Sequence, residues 1–259
     1  MKIDKLFSVE GKVVLVTGGS RGIGKMIARG FVENGAKTYI TARSAEACAA
    51  TAAELAPLGS CIALPIDIST PDGIKALTAQ LAGREQALHV LVNNAGATWS
   101  APIEEFPLSG WDKVMNLNVR SPFFLTQALL PQLRAAASHA DPARIINIGS
   151  ADGIQVPAQD TYAYAASKAG IHHLTQMLAA RLAKDHINVN AVAPGPFESK
   201  MMAQTIATMH DQIIAMVPLA RLGEPPDMAG VALYLASRAG SYVTGSIIPV
   251  AGGMHMNLA

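Results

Sequence analysis

Three polar side chains in the second half of the chain have types and spacing that suit proton transfer to a carbonyl oxygen. Tyr164 and Lys168 lie four residues apart in Tyr164-Ala-Ala-Ser-Lys168, which places both on one face of a helix. Hydride transfer to a carbonyl leaves negative charge on the oxygen, so the site needs a proton donor and a second hydrogen-bond donor. Tyr164 fits the first role and Ser150 the second. A free tyrosine has a pKa of about 10, and we expect the Lys168 cation to lower it.

Two other sets of residues are weaker candidates for chemistry. Tyr162 lies two residues before Tyr164, but its neighbour one helical turn on is Ala166, which has no charge. The seven histidines form no His-Glu-x-x-His pattern. His172 and His173 are adjacent, so they point about 100° apart on a helix and cannot chelate one ion together. We therefore predict no metal site.

A glycine-rich turn near the N-terminus has the residues that a dinucleotide needs. Thr17-Gly-Gly-Ser-Arg-Gly-Ile-Gly24 follows an apolar run and leads directly into a segment of helical period. Glycines there permit a tight turn, close approach to a pyrophosphate and close helix packing, while the helix N-terminus supplies N–H donors. The spacing is G-x-x-x-G-x-G, and taken alone it also fits an ordinary strand-to-helix turn.

The end of the second strand indicates which nicotinamide cofactor binds. An acidic residue about 20 positions beyond the glycine turn would hold the ribose 2′-hydroxyl of NAD. The chain instead reads Tyr39-Ile-Thr-Ala-Arg43, without a carboxylate. Arg43 and Arg21 would suit a 2′-phosphate through charge-assisted hydrogen bonds, which predicts NADP(H). The alternative is that both arginines are solvated surface charges.

These residues must be positioned by alternating strands and helices. Short Val/Ile/Leu-rich runs predict strands at 13–17, 38–42, 62–66, 90–93, 145–149, 188–193 and 246–250, and alanine-rich segments predict helices at 22–34, 45–56, 71–82, 110–137, 162–184, 202–215 and 226–236. Most of the strands are apolar on both faces, which is typical of a parallel sheet covered on both sides. The predicted fold class is α/β, a single-domain Rossmann-type doubly wound parallel sheet of about seven strands.

Composition excludes several function classes. The 259 residues include 20 Lys plus Arg against 19 Asp plus Glu, a net charge of +1, so no broad cationic field favours nucleic acid or a membrane surface. No segment approaches the ~20 apolar residues that span a bilayer, and the N-terminus does not resemble a signal peptide. Cys48 and Cys61 have no metal-site spacing, and we interpret both as small buried hydrophobes. We expect a soluble cytoplasmic protein.

Five motifs in order resemble the short-chain dehydrogenase/reductase family. They are the glycine turn at 17–24, Asn93-Asn-Ala-Gly96, Asn116-Leu-Asn-Val119, Ser150 with Tyr164-Ala-Ala-Ser-Lys168, and Pro194-Gly195. The resemblance runs from about residue 11 to residue 253. It implies one domain over 1–259, with a dinucleotide-binding part at about 11–150 and a catalytic and substrate part at about 150–259.

The resemblance also implies roles for individual residues. The catalytic set becomes Asn118, Ser150, Tyr164 and Lys168, in which Asn118 positions a water that links Lys168 to solvent. The expected cofactor contacts are Gly18, Ser20, Arg21, Gly22, Ile23, Gly24, Arg43, Asp67, Ile68, Asn94, Gly96, Tyr164, Lys168, Pro194, Gly195, Phe197 and Ser199. Among these, Asp67 and Ile68 match an adenine contact and Asn94 a residue lining the adenosine ribose. Lys168 matches a residue holding the nicotinamide ribose, and Phe197 and Ser199 match positions that meet the nicotinamide amide. Each catalytic residue taken singly also has a structural interpretation, such as a helix pair or a turn.

The substrate end is less specific. The segment from Pro196 to Pro218 corresponds to the family's substrate lid and contains Met201, Met202, Met209 and Met216, whose flexible side chains suit an adaptable apolar pocket. The alternative is that these methionines pack a core helix. Ser150, Gln155 and Tyr164 are the expected substrate contacts, and Trp99 and Val156 would add walls.

Within the family, the chain looks most like the NADPH-dependent β-ketoacyl (3-oxoacyl) reductases of bacterial lipid and rhamnolipid metabolism. The glycine turn, Arg221-Leu-Gly-Glu224 and the ending Val250 to Met256 carry this likeness. The favoured substrate is a 3-ketoacyl thioester, and a sugar, polyol, steroid or small ketone is the alternative. A non-enzymatic dinucleotide sensor is a remote alternative, because a sensor does not need a proton-relay set.

Two expectations concern partners. The stretch Ala135 to Pro142 lacks the basic residues with which fatty-acid-synthesis enzymes dock an acyl carrier protein, so such docking is doubtful unless Arg134, Arg144 and Lys184 replace them. Small residues in the helix at 162–184 permit close helix approach, and family members pair such helices across two-fold axes, so we expect a homotetramer.

Overall fold

A parallel sheet of seven strands forms the centre of the protein, of which the computed structural model describes residues 2–199 and 202–256. The strands are β1 (Val13–Thr17), β2 (Lys37–Thr41), β3 (Cys61–Leu64), β4 (Val90–Asn93), β5 (Ala143–Ile148), β6 (Ile187–Pro194) and β7 (Ile247–Val250). Their order across the sheet is β3-β2-β1-β4-β5-β6-β7. Every residue of β1, β4, β5 and β6 is buried, as strands covered on both faces require. The predicted Rossmann-type fold class is confirmed.

Helices cover both faces of this sheet. They are α1 (Ile3–Leu6), α2 (Gly22–Glu33), α3 (Ala45–Leu55), α4 (Pro71–Ala82), α5 (Leu108–Met115), α6 (Ser121–Ala136), α7 (Tyr162–Leu182), α8 (Ala203–Ala215) and α9 (Pro225–Ala236). Short 3₁₀ turns lie at Ala56–Leu58, Ile103–Glu105, Ala151–Gly153, Ala183–Asp185, Arg238–Gly240 and Met254–Met256. Among the described residues, no helix is long and apolar enough to cross a membrane.

Alternate side chains of each strand enter two separate hydrophobic cores. In β1, Val14 and Val16 pack with Phe31 of α2 on one face of the sheet. Leu15 packs on the other face, in a cluster that includes Leu77 of α4 and Leu129 of α6. This alternation follows from the two-residue period of a strand. The two cores anchor the strands, so the loops that leave their carboxyl ends start from rigid positions.

The helical segment predicted at 110–137 is present, but a π-helical turn at Asn116–Arg120 divides it into α5 and α6. Pro122 has no N–H, so the carbonyl of Asn118 cannot receive the hydrogen bond that an α-helix would supply from that position. The backbone N–H of Ser121 donates to the carbonyl of Asn116, which is the wider i to i−5 bond. The other predicted helices and strands agree with the structure to within two residues at each end.

The site lies where the strand order reverses. β1 and β4 are neighbours in the sheet although β2 and β3 lie between them in the chain. The loops after β1 and β4 therefore diverge to opposite faces and leave a crevice, which is the usual ligand position in open α/β sheets. The glycine turn follows β1, and Asn93-Asn-Ala-Gly96 follows β4.

Candidate active site

The structure brings Ser150, Tyr164 and Lys168 together at the carboxyl end of β5. Ser150 follows the strand directly, and its hydroxyl is hydrogen-bonded to the side chain of Tyr164, near the start of α7. One turn further along α7, the Lys168 Nζ lies 5.4 Å from the centroid of the Tyr164 ring. It donates to the carbonyl oxygen of Ile148 at 2.7 Å. A proton donor, a second hydroxyl and a cation therefore share one site.

The hydroxyl of Tyr164 is held in its protonated form. Burial raises the pKa of Tyr164 to about 12, the hydrogen bond with Ser150 lowers it in part, and the negative charge of Asp152 raises it again. The expectation that Lys168 brings the pKa of Tyr164 below its ordinary value is therefore wrong for the free chain. A phenol that keeps its proton at neutral pH can donate it to a developing alkoxide, so the site suits reduction of a carbonyl.

The ammonium of Lys168 is buried, with 5% of its surface exposed. Burial lowers the pKa of Lys168 to about 8, and the charge of Asp152 acts in the opposite direction. Lys168 therefore changes its charge near neutral pH rather than near 10, where an exposed lysine titrates. This places a second proton-exchanging group beside Tyr164.

Asn118 is positioned by the π-helical turn and held from three sides. Its side-chain oxygen accepts from the backbone N–H of Ala97 at 2.8 Å, and its side-chain nitrogen donates to the Ala97 carbonyl and to the Ser167 hydroxyl, both at 2.9 Å. Ser167 donates in turn to the carbonyl of Tyr164 at 2.7 Å. Asn118 thus joins the loop after β4 to the helix that carries Tyr164 and Lys168.

The glycine turn after β1 is tied to the loop after β4. Gly18 and Gly22 adopt positive φ angles of 65° and 52°, which suit glycine. The Asn94 side chain donates to the carbonyl oxygens of Thr17 at 2.8 Å and Gly18 at 3.2 Å. A Cβ on Gly24 would collide with the Asn94 side chain and the Gly18 carbonyl. The amide of Asn94 therefore braces the turn, in addition to its expected place along the adenosine ribose.

Arg21 and Arg43 are exposed at the edge of the crevice, beside the carboxyl ends of β1 and β2. The Gly19 N–H donates to the Thr41 carbonyl at 3.2 Å, and Thr51 of α3 donates to the Ser20 carbonyl at 2.9 Å. These bonds hold the turn that carries Arg21 against the segment that leads to Arg43. In the described part of the chain, neither guanidinium has an ion pair or hydrogen bond with another side chain. Both cations are available to an anionic ligand.

The segment after β3 is fixed to the π-helical turn. An oxygen of the Asp67 carboxylate accepts from the Ser69 N–H at 2.9 Å, and Ile68 is buried. The Ser121 hydroxyl lies 2.8 Å from the Ile68 carbonyl, and Arg120 donates to the Ser69 carbonyl at 2.8 Å. Asp67 and Ile68 therefore lie between the carboxyl end of β3 and the π-helical turn, where we predict the adenine contact.

The loop after β6 carries the expected contacts to the nicotinamide end of the cofactor. Gly195 packs against Ala251, and its N–H donates to the Val250 carbonyl at 3.0 Å. The backbone of Pro194 and Gly195 therefore continues the hydrogen bonding between β6 and β7 at the carboxyl end of the sheet. The Phe197 side chain is 2% exposed and packs in the core against Gly223, which leaves only its backbone to meet a nicotinamide amide. Ser199 lies opposite Gly22, because a Cβ on that glycine would be 3.2 Å from the Cβ of Ser199.

The predicted substrate residues surround the same end of the sheet. Met209 and Met216 are 38% and 46% exposed, so they do not pack a core helix. Met201 lies outside the described residues. The Trp99 ring packs on Gly110, and the exposed Val156 lies on the loop between Ser150 and α7. The rejected candidate Tyr162 is exposed and donates to Asp160 at 2.8 Å.

One of the three cations offered for carrier-protein docking is unavailable. Arg144 is 1% exposed, donates to the carbonyls of Leu235 and Ser237, and pairs with Asp141. Arg134 pairs with Asp185 at 2.8 Å, and Lys184 is exposed. The suggestion that Arg144 replaces a docking residue is therefore wrong, since its guanidinium stabilises the interior.

Three residues of the site were not identified from the sequence. Thr17 accepts from the N–H groups of Asn94 and Ala95 through its hydroxyl, and Ser167 links Asn118 to α7. Asp152 lies two residues after Ser150. A signal existed for Thr17 and Ser167, because a hydroxyl in an otherwise apolar buried segment requires a polar partner.

Comparisons with known proteins agree over nearly the whole chain. A family model described as Enoyl-(Acyl carrier protein) reductase matches residues 18–255. The rhamnolipids biosynthesis 3-oxoacyl-(acyl-carrier-protein) reductase of Pseudomonas aeruginosa is 49% identical over 253 residues, covering 96% of this chain and 98% of that protein. A 3-oxoacyl-(acyl-carrier-protein) reductase of Vibrio cholerae is 36% identical over 249 residues, covering 96% of this chain and 99% of that protein.

Solved structures share the fold. The Pseudomonas aeruginosa RhlG/NADP active-site complex is 49% identical with a TM-score of 0.94, covering 97% of this chain and 99% of that one. A gluconate 5-dehydrogenase of Burkholderia cenocepacia, in complex with NADP and tartrate, is 29% identical with a TM-score of 0.91, covering 99% and 100%. The sequence and the fold therefore point to the same group of proteins.

Proposed function

Because the chain belongs to the short-chain dehydrogenase/reductase family, we propose that it is an NADPH-dependent oxidoreductase that reduces the ketone of 3-oxoacyl thioesters. The observation that carries the proposal is the hydrogen-bonded pair of Ser150 and Tyr164 with Lys168 beside the tyrosine ring. These groups suit a carbonyl oxygen that must be polarised and protonated. The relatives at 49% and 36% identity are named as 3-oxoacyl reductases, which supports the thioester.

The residues of the crevice fit an NADP-type dinucleotide. The glycine turn leaves room at the N-terminus of α2, and the only charged side chains on the turn and directly after β2 are the cations Arg21 and Arg43. When bound, NADPH would supply the hydride. Gly18, Ser20, Gly22, Ile23 and Gly24 would line the pyrophosphate. The arginines would hold the 2′-phosphate, and the remaining contacts listed from the sequence would follow the adenine, ribose and nicotinamide.

The chain's own residues account for the proton. Ser150 donates a hydrogen bond to the substrate oxygen and keeps it next to the Tyr164 hydroxyl. Tyr164 gives its proton to that oxygen as negative charge develops on it. Lys168 stabilises the phenolate that remains, and its ammonium is the next proton source. Asn118 holds the helix that carries Lys168 against the loop after β4, where a relay water would lie.

The test is an assay of NADPH consumption with a panel of ketones. We expect 3-oxoacyl thioesters to give the highest kcat/KM, and steroids and simple ketones to be poor substrates. A polyol or keto-gluconate is the second candidate, because a gluconate 5-dehydrogenase shares the fold at a TM-score of 0.91. Faster reduction of keto-gluconate than of any thioester would replace the first candidate with the second.

We also propose one domain over 1–259 and a cytoplasmic location.

We propose that the protein is a homotetramer. Apolar side chains lie exposed on α5, α6 and α7, among them Trp111 at 40%, Phe124 at 46% and Met177 at 52%. Ala166 and Ala169 are also exposed on α7 and permit close helix approach. Such a surface is typical of a self-complementary interface. Light scattering at micromolar concentration should give four times the mass of the chain, and Phe124→Asp should lower it. A monomeric parent protein would contradict the proposal.

The rate should depend on the charge of Lys168. Because burial lowers its pKa to about 8, the ammonium is present below that pH and is lost above it. We expect kcat/KM for NADPH, measured at saturating ketone, to fall about tenfold per pH unit above about pH 8, since this parameter reports ionisation of the free enzyme. A profile that stays flat to about pH 10 would mean that the charge of Lys168 is not needed.

A further inference from the structure

A carboxylate two residues after the catalytic serine takes no step in the proton transfer proposed above. Asp152 lies in the 3₁₀ turn Ala151–Gly153, two residues after Ser150. Its backbone N–H donates to the Ser150 hydroxyl oxygen at 3.1 Å. The turn is packed directly on α7, because a Cβ on Gly153 would touch the backbone of Lys168 and Ala169. The backbone of Asp152 is therefore hydrogen-bonded directly to the side chain of the catalytic Ser150, and the Asp152 side chain extends from that point.

The carboxylate is partly buried without a donor. Within residues 2–199 and 202–256, no side chain or backbone N–H donates to the oxygens of Asp152, and it forms no salt bridge. Burial raises the pKa of Asp152, with the Lys168 charge acting against this rise, and the negative charge of Asp152 raises the pKa of both Tyr164 and Lys168. A partly buried acceptor normally finds a donor, in the protein or in a ligand.

A second acceptor on the same segment is also unpaired. The side-chain oxygen of Gln155 is enclosed and has no hydrogen-bond partner in the described part of the chain. The Gln155 backbone N–H donates to the Ala151 carbonyl at 2.9 Å, so the two side chains belong to one folded unit. Residues 150–155 thus contain two acceptors that lack a hydrogen-bond donor in the described part of the chain, and none of these six residues carries a positive charge.

We infer that Asp152 is a specificity-determining residue, which accepts a hydrogen bond from an N–H or O–H donor that the substrate carries near its reacting carbonyl. This inference rests on the proposed function, since it assigns a contact within the same site. In a 3-oxoacyl thioester the donor is the first amide N–H of the pantetheine-type arm. In a polyol-type substrate it is a hydroxyl next to the ketone. In both cases an uncharged N–H or O–H group of the substrate donates to the carboxylate. A substrate with an acceptor atom in place of that donor is repelled.

The test uses pairs of matched substrates in which one member lacks the N–H or O–H donor. The first pair is the N-acetylcysteamine thioester of a 3-oxo acid and its 2-acetoxyethyl thioester, in which the amide N–H is replaced by an ester oxygen. The second pair is a hydroxyketone and its methoxy counterpart. For the thioester pair we expect the parent enzyme to prefer the donor by about tenfold to a hundredfold in kcat/KM, the range for a hydrogen bond to a charged acceptor. A ratio near one for both pairs would overturn the inference.

The variant Asp152→Asn keeps the shape of the side chain and removes its charge. We expect the ratio within the preferred pair to fall severalfold, because the amide oxygen that remains accepts a weaker hydrogen bond than a carboxylate does, while NADPH binding remains. The effects of Asp152 on Tyr164 and Lys168 are the same for both members of a pair, so they cancel in the ratio. An unchanged ratio in Asp152→Asn, with only a shifted pH profile, would limit Asp152 to an electrostatic role and overturn the inference.

A matched control and the second pair separate this inference from the proposed function. Asp160 is an exposed carboxylate on the same loop, so Asp160→Asn should leave both ratios unchanged.

If the parent reduces neither thioester, the proposed function is wrong, and the hydroxyl pair still tests Asp152. Preference for the amide identifies a thioester arm as the donor, whereas preference for the hydroxyl identifies a polyol. Turnover of neither pair overturns both proposals.

Discussion

Tyr164→Phe is expected to reduce the turnover of 3-oxoacyl thioesters by at least about 10² to 10⁴, the usual contribution of a general acid. The substitution removes the hydroxyl that is hydrogen-bonded to Ser150 and belongs to the ring beside Lys168. Burial holds that hydroxyl protonated, so we expect it to be the group that donates to the substrate oxygen at neutral pH. The measurement is kcat with saturating NADPH and ketone.

The effect on turnover should be separable from cofactor binding. Phenylalanine keeps the ring that packs beside Lys168, so the dissociation constant of NADPH should change by less than about threefold. Tyr162→Phe is the matched control, because Tyr162 lies on the same helix and loses only an exposed hydrogen bond to Asp160. Activity of Tyr164→Phe within threefold of the parent would disprove the assignment of the proton donor.

Arg43→Asp should reverse the choice of cofactor. Arg43 and Arg21 are exposed, unpaired within the described chain and without a carboxylate beside them, so the parent should prefer NADPH to NADH by about 10² in kcat/KM. The aspartate would remove one cation and place a like charge near the 2′-phosphate, while its oxygens could accept from the 2′-hydroxyl of NADH. We therefore expect NADPH use to fall steeply and NADH use to hold or improve.

The measurement compares kcat/KM for both cofactors at one fixed ionic strength, because salt screens exposed charges. Arg84→Asp is the charge-matched control. Arg84 is exposed just after α4, at the end of the sheet where the strands begin. The crevice is at the opposite end, where the strands finish. Equal use of NADH by the parent, or the same cofactor ratio in Arg43→Asp and the parent, would mean that Arg43 is only a surface charge.

Local sequence was sufficient for most of the architecture. Apolar runs without alternation predicted buried parallel strands, and the glycine-rich segment predicted the turn between β1 and α2. Strand and helix periods are local properties of neighbouring residues, so they can be recognised without long-range contacts. Over 110–137 the helical period predicted the helix but not its π-helical turn, which follows from the effect of Pro122 on the carbonyl of Asn118. The signal was present, as proline lacks the donor that an unbroken helix needs.

Contacts between distant segments could not be predicted in the same way. The ring of Phe197, in the loop after β6, is buried against Gly223, and Arg144 appeared free for a partner although its guanidinium donates to carbonyls near the end of α9. The partners of both residues lie far along the chain or across the sheet. Which face of a loop is covered depends on those partners and not on the neighbouring sequence.

The sequence by itself determined the type of chemistry, because a serine, a tyrosine and a lysine in this order after a dinucleotide turn suit carbonyl reduction and little else. The tertiary structure decided the electrostatics. Burial, which depends on how α7, the turn at 151–153 and the loop after β4 pack together, raises the pKa of Tyr164 and lowers that of Lys168. The same packing placed Asp152 beside Ser150, with no hydrogen-bond donor to its carboxylate in the described part of the chain. Residue types set the ordinary pKa values, but solvent access and the nearest charges arise only when separate parts of the chain meet.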